Sequence, residues 1–230
     1  MTAPQGTVAF VGGGEFRAGC HDLDTELLAT SGAEEVLVLP TAAAFENPER
    51  VLVRAAEHFG GLGARVRGLE ILHRHDADEA AVQAVADAKL VYLSDGSPLH
   101  LRSVLKGSEL YDALADMYAR GGVLAASGAG ATVLGDPMVD PRGGAYTVGL
   151  GLVANLAVFP YHGTAADHLR ERSIDLLPTT ATLVGIDEET ALVRDPDGGW
   201  RVAGAGGVSV YRGSESDRFD AGAVVASLEA

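Results

Sequence analysis

A single cysteine in a chain of 230 residues, Cys20, excludes an internal disulfide framework and leaves no cysteine pair for a thiolate metal site. A reducing compartment is the simpler expectation, so the chain reads as cytoplasmic. Long apolar runs are missing as well. No stretch reaches the roughly 18 consecutive apolar residues of a membrane span, and the first residues form neither a basic region nor an apolar signal core. A soluble protein without a membrane partner is expected. Positive charge is scarce: 17 Lys and Arg stand against 32 Asp and Glu, a formal net charge of −15. That balance disfavours nucleic acid and anionic lipid as partners, and any acidic ligand must meet a local cluster of positive side chains. Repeats, low-complexity tails and linker-like charge runs are absent too, so residues 1–230 read as one domain.

What is present is apolar residues, at 47%, and 30 glycines, enough for a large α/β core. Thr7 to Val11 reads as a first strand that feeds the turn Gly12, Gly13, Gly14 and Glu15. These glycines lack the Gly-x-Gly-x-x-Gly spacing of a dinucleotide site, and close backbone packing explains them better. No cofactor is expected. Val36 to Leu39 is a second strand, and Pro48 opens a helix whose apolar positions Val51, Leu52, Ala55 and Phe59 recur at helical spacing. Val66 to Leu72 is a third strand. Just beyond it stand His73, His75, Asp76 and Asp78, a polar loop with no further ligand at characteristic spacing, so no metal site is expected. Leu90 to Leu93 is a fourth strand, and Ser97 before Pro98 starts a helix with a side-chain cap and a proline in the first turn.

This alternation of strands and helices predicts a mainly parallel sheet with right-handed crossovers. Four short runs in the last third, Thr182 to Ile186, Thr190 to Val193, Trp200 to Ala203 and Val208 to Tyr211, predict an antiparallel extension of it.

The stretch Gly121 to Leu134 carries the chemistry. A buried strand runs through small residues into a short helix, the setting of a nucleophile elbow. In Gly-x-Ser-x-Gly the nucleophile stands two residues before the closing glycine, and counting back from Gly130 reaches Gly128. The geometry is there without the hydroxyl. Ser127 lies one residue early.

Taken together, the GGGE turn, the strand end VLPTA, the GGVLAASGAGATVL elbow, GLGL at Gly149 to Leu152 and GIDEETALV at Gly185 to Val193 resemble the serine-peptidase family of dipeptidase E and cyanophycinase. The resemblance spans nearly the whole chain. It implies a three-layer α/β/α fold like that of class I glutamine amidotransferases, and hydrolysis of aspartyl peptides by a serine, a histidine and usually an acid. It places the nucleophile position at Gly128 and the base at His162, with Asp136 and Asp140 as candidate acids. It also implies substrate contacts from Glu15, Gly96, Ser97, Ala129, Arg170 and Arg172. The loop after the fourth strand, Ser94 to Pro98, keeps only one glycine of the pattern. The expectation is a degenerate hydrolase that binds a small aspartyl peptide or carboxylate, or that serves as a partner subunit or homo-oligomer. The alternative is an active peptidase with Ser127 as nucleophile and His162 as base. Glutamine amidotransfer would require a cysteine at the elbow, and Cys20 is far from it in sequence.

Overall fold

The computed structural model describes residues 5–228 except 141 and 214. Five strands run parallel at its centre: β1 (Thr7–Val11), β2 (Glu35–Leu39), β3 (Arg65–Gly68), β4 (Leu90–Leu93) and β5 (Val123–Ser127). Two antiparallel strands, β12 (Thr190–Arg194) and β13 (Trp200–Gly204), complete a seven-stranded sheet in the order β13-β12-β1-β5-β4-β2-β3. Successive side chains of a strand point to opposite faces, so both faces need cover. Ala9, Val11, Val36, Val38 and Ala125 pack under α1 (His21–Ser31) and α2 (Pro48–Gly61). Val8, Phe10, Leu37, Leu39, Leu124 and Ala126 face the other way. There they meet α3 (Glu79–Asp87), α4 (Pro98–Leu105), α5 (Glu109–Ala119) and α6 (Ala129–Leu134). The result is the expected three-layer α/β/α arrangement, consistent with the class I glutamine amidotransferase-like fold.

Two details differ from the sequence expectation. The third strand ends at Gly68 rather than Leu72, because β3 is an edge strand bonded only to β2, with Arg65 and Arg67 exposed. The four C-terminal runs do not form one extension. Only β12 and β13 join the main sheet, while β11 (Thr182–Ile186) and β14 (Gly207–Arg212) belong to a second sheet with β10 (Leu156–Phe159) and β15 (Glu215–Asp220). Its other strands are the two-residue segments β6 (Gly135–Asp136) and β9 (Val153–Ala154). A separate two-residue pair, β7 (Met138–Val139) and β8 (Tyr146–Thr147), lies between them in the chain.

The change of sheet gathers the site. β10 and β11 run parallel to each other, and the chain then crosses over to β12 beside β1. At this crossing the Tyr161 amide donates to the Gly12 carbonyl at 2.7 Å and the Glu189 amide to the Gly13 carbonyl at 2.8 Å. The ends of β1, β5, β10 and β11 therefore meet. Helix α7 (Asp167–Asp175) follows β10 on the outside.

Candidate functional site: a glycine elbow capped by a carboxylate

Strand alternation decides where Ser127 points. Val123 and Ala125 face the α1 and α2 side, and Ser127, two residues on, continues that row. Its side chain is fully buried and its hydroxyl donates to Glu15 Oε2 at 2.9 Å. Glu15 also accepts the Asp95 amide proton at 3.4 Å and lies 3.6 Å from the Arg54 guanidinium. Burial raises the Glu15 carboxyl above its ordinary pKa, and the nearby Asp95 charge raises it further.

Gly128 turns the chain with φ 48° and ψ −105°, a state that costs any residue with a Cβ. Its amide donates to the Val11 carbonyl at 2.9 Å, and its carbonyl accepts from both the amide and the hydroxyl of Thr132. The helix behind it presses close. A Cβ on Gly130 would come within 3.0 Å of Leu93, which explains the run of small residues.

The space above Gly128 is filled. A Cβ there would lie 2.0 Å from Asp95 Oδ1, and that oxygen accepts the Ala129 amide proton at 2.7 Å. The amide after an elbow nucleophile is the donor that serves an oxyanion in such sites, and here it is engaged by Asp95. The other carboxylate oxygen accepts the Tyr161 hydroxyl. Tyr161 is held at φ 55°, and its ring occupies the place that a side chain on Gly13 would take, 2.3 Å from a Cβ built there. The glycine turn thus makes room for an aromatic ring that reaches the elbow.

His162 follows Tyr161 but is engaged elsewhere. Its Nε2 lies 2.8 Å from the Tyr211 hydroxyl and its Nδ1 3.8 Å from Asp187 Oδ1. Burial lowers the imidazole pKa, and the Arg170 charge lowers it further, so the neutral ring is favoured. Burial works against ionisation of Asp187, but Arg218 at 2.6 Å and the Gly207 amide outweigh it and hold that carboxyl below its ordinary value. The acid beside the histidine is therefore Asp187, not Asp136 or Asp140. Asp136 accepts the Gly149 amide proton at 3.0 Å, and Asp140 is paired with Arg142 at 2.8 Å. Ser127 and His162 are not brought together: the serine hydroxyl serves Glu15, and the imidazole serves Tyr211 and Asp187.

The other sequence candidates divide. Gly96 and Ala129 line a cavity of about 260 Å³ beside the elbow, with Asp95, Thr132, Asp140 and Tyr161 as its polar groups. Ser97 caps α4, accepting the His100 amide proton at 3.3 Å. Glu15 lines a smaller cavity of about 170 Å³ on the other side of Asp95, with Arg17 and Arg54. Arg170 donates to the His162 carbonyl at 3.3 Å and pairs with Asp167, while Arg172 is exposed. Neither arginine lines the cavity beside the elbow.

Cys20 is buried under the α1 face, where desolvation and then the Asp24 charge push its thiol up to about 12. Such a thiol is unreactive. The loop at 73–76 does gather three donors, with ligand atoms of His73, His75 and Asp76 within 4.8 Å of one another. Asp78 instead caps α3 through the Ala81 amide at 2.8 Å.

Asp95, Tyr161, Asp187 and Tyr211 were not singled out from sequence. A signal existed for two of them. Asp95 stands two residues beyond the end of β4 at the carboxyl edge of a parallel sheet, where such folds place ligands, and Asp187 lies within the GIDEETALV segment.

The chain is similar to known proteins over most of its length. The pattern of peptidase family S51 matches residues 8–199. The cyanophycinase of Trichormus variabilis (strain ATCC 29413 / PCC 7937) is 28% identical over 236 residues, covering 94% of this chain and 77% of that protein. The cyanophycinase of Synechococcus elongatus is 25% identical over 225 residues, covering 90% and 68%. A crystal structure of a peptidase from an acI-B1 Actinobacterium superposes with a TM-score of 0.87 at 29% identity, covering 98% of both chains.

Proposed function

This chain belongs to peptidase family S51, and on that premise we propose that it binds a small ligand beside its elbow without hydrolysing peptides through an acyl-enzyme. One observation carries the reading. Gly128 holds the strained central position of the elbow, and Asp95 occupies both the space of a nucleophile side chain and the Ala129 amide. An acyl-enzyme needs a hydroxyl or thiol in that place, and removing a nucleophile from such machinery typically costs on the order of a million-fold in turnover. Ser127 does not offer a substitute, because it is fully buried and bonded to Glu15. The scaffold around the elbow is otherwise intact, and its cavity remains open to a ligand.

The test is turnover on aspartyl dipeptides, β-aspartyl-arginine and cyanophycin, read by mass spectrometry for the native chain and for Ser127→Ala and His162→Ala. No hydrolysis by any of the three is expected. Hydrolysis by the native chain that both substitutions abolish would overturn the proposal.

A further inference from the structure

We infer that the cavity beside the elbow takes a small molecule bearing a protonated amine on a compact apolar body, with the amine set against the Asp95 carboxylate. The inference rests on the reading of the elbow as a ligand site and names its ligand class. Val139, Phe159, Pro160 and Leu169 are the larger apolar side chains of a mostly apolar lining, and no Lys, Arg or His belongs to it among the described residues. The polar groups are two carboxylates, Asp95 and Asp140, and the hydroxyls of Thr132 and Tyr161.

The charges are not equivalent. Arg142 neutralises Asp140 with a two-pronged grip at 3.0 and 2.8 Å. Asp95 has no cationic side chain bonded to it among the described residues; Arg54, on its far side, lies against Glu15 instead. Each Asp95 oxygen accepts one protein donor, from Ala129 and from Tyr161. An ionised carboxylate has about four acceptor positions, so about two remain for a ligand. An ammonium group supplies three donors and the missing positive charge, whereas a ligand carboxylate would meet like charge with no cation to hold it. The arginines that would receive an acidic substrate point elsewhere, Arg170 onto the His162 carbonyl and Asp167, and Arg172 into solvent. At about 260 Å³ the cavity lies near the lower end of small-molecule sites, which limits the apolar body to a few carbons or one ring.

Titration calorimetry tests this with three amines, isobutylamine, phenethylamine and leucinamide, and their acidic counterparts isovalerate, phenylacetate and N-acetylleucine. At least one amine should bind, at least tenfold more tightly than its counterpart. Asp95→Asn, which keeps the acceptor for Ala129, should weaken that binding at least tenfold, and Leu169→Trp, which fills the cavity, should weaken it comparably. Melting curves show whether each variant is folded, and the preference of the native chain for amine over acid stands independently of both. Equal or tighter binding of the acids, amine binding unchanged in folded Asp95→Asn, or no binding of any of the six would overturn the inference. Acid binding as tight as or tighter than that of the amines, without peptide turnover, would overturn this inference alone, whereas serine-dependent turnover of aspartyl peptides would overturn the reading beneath it.

Discussion

A side chain on Gly128 and the Asp95 carboxylate, in the rotamer that bonds Ala129 and Tyr161, exclude each other: a Cβ on the glycine would stand 2.0 Å from Asp95 Oδ1. The two positions therefore form one unit. Gly128→Ser should destabilise the fold by about 1–3 kcal/mol, from the positive φ and the collision together. Asp95→Gly in the same chain should recover the part due to the collision. Urea melts of the native chain, both single variants and the double variant would show this as a coupling; simple additivity would contradict the mutual exclusion.

Under the proposed function, Ser127 is a structural hydroxyl. Ser127→Ala removes the donor to Glu15 Oε2 in a buried setting, and the loss should be about 1–3 kcal/mol in denaturant melts. A variant as stable as the native chain would show that the bond contributes nothing net.

Glu15 couples stability to pH. Its carboxyl is raised by burial and by Asp95, so the folded chain holds this proton more tightly than the unfolded chain. The corresponding stability is fully present below the unfolded carboxyl pKa and is lost as pH rises through the folded value. Glu15→Gln, neutral at every pH, should melt above the native chain at neutral pH, with the gap closing as pH falls through the folded value. A gap that widens on acidification would reverse the sign.

His162 should titrate below an ordinary histidine, because burial and the Arg170 charge disfavour the imidazolium. Its contribution to stability is present above the unfolded histidine pKa and is lost as pH falls through the depressed folded value. Histidine ring signals followed by NMR, assigned with His162→Gln, would check the direction. An ordinary or raised midpoint would contradict it.

Much of this protein could be read without coordinates. Short continuous apolar runs that alternate with helices specify a parallel sheet covered on both faces, since both rows of apolar side chains need a helical layer. The elbow was equally legible: only a turn with almost no room for side chains calls for small residues throughout Ala126 to Gly130. Counting within the turn reached Gly128, the residue that takes the positive φ of the elbow, because spacing inside a tight turn is local.

Tertiary structure decided everything that joins distant segments. Residues 182–212 divide between two sheets, because strand pairing is settled by competing partners across the fold and not by the strands' own sequences. Asp95 and Tyr161, 66 positions apart, meet over Gly128, and Ser127 meets Glu15 across 112. His162 faces Tyr211 and Asp187 because β10 and β11 lie side by side in the second sheet. Local composition determined a fold with a glycine at the turn of its elbow; which side chain lies over that glycine depended on long-range packing, which no short stretch of the chain encodes.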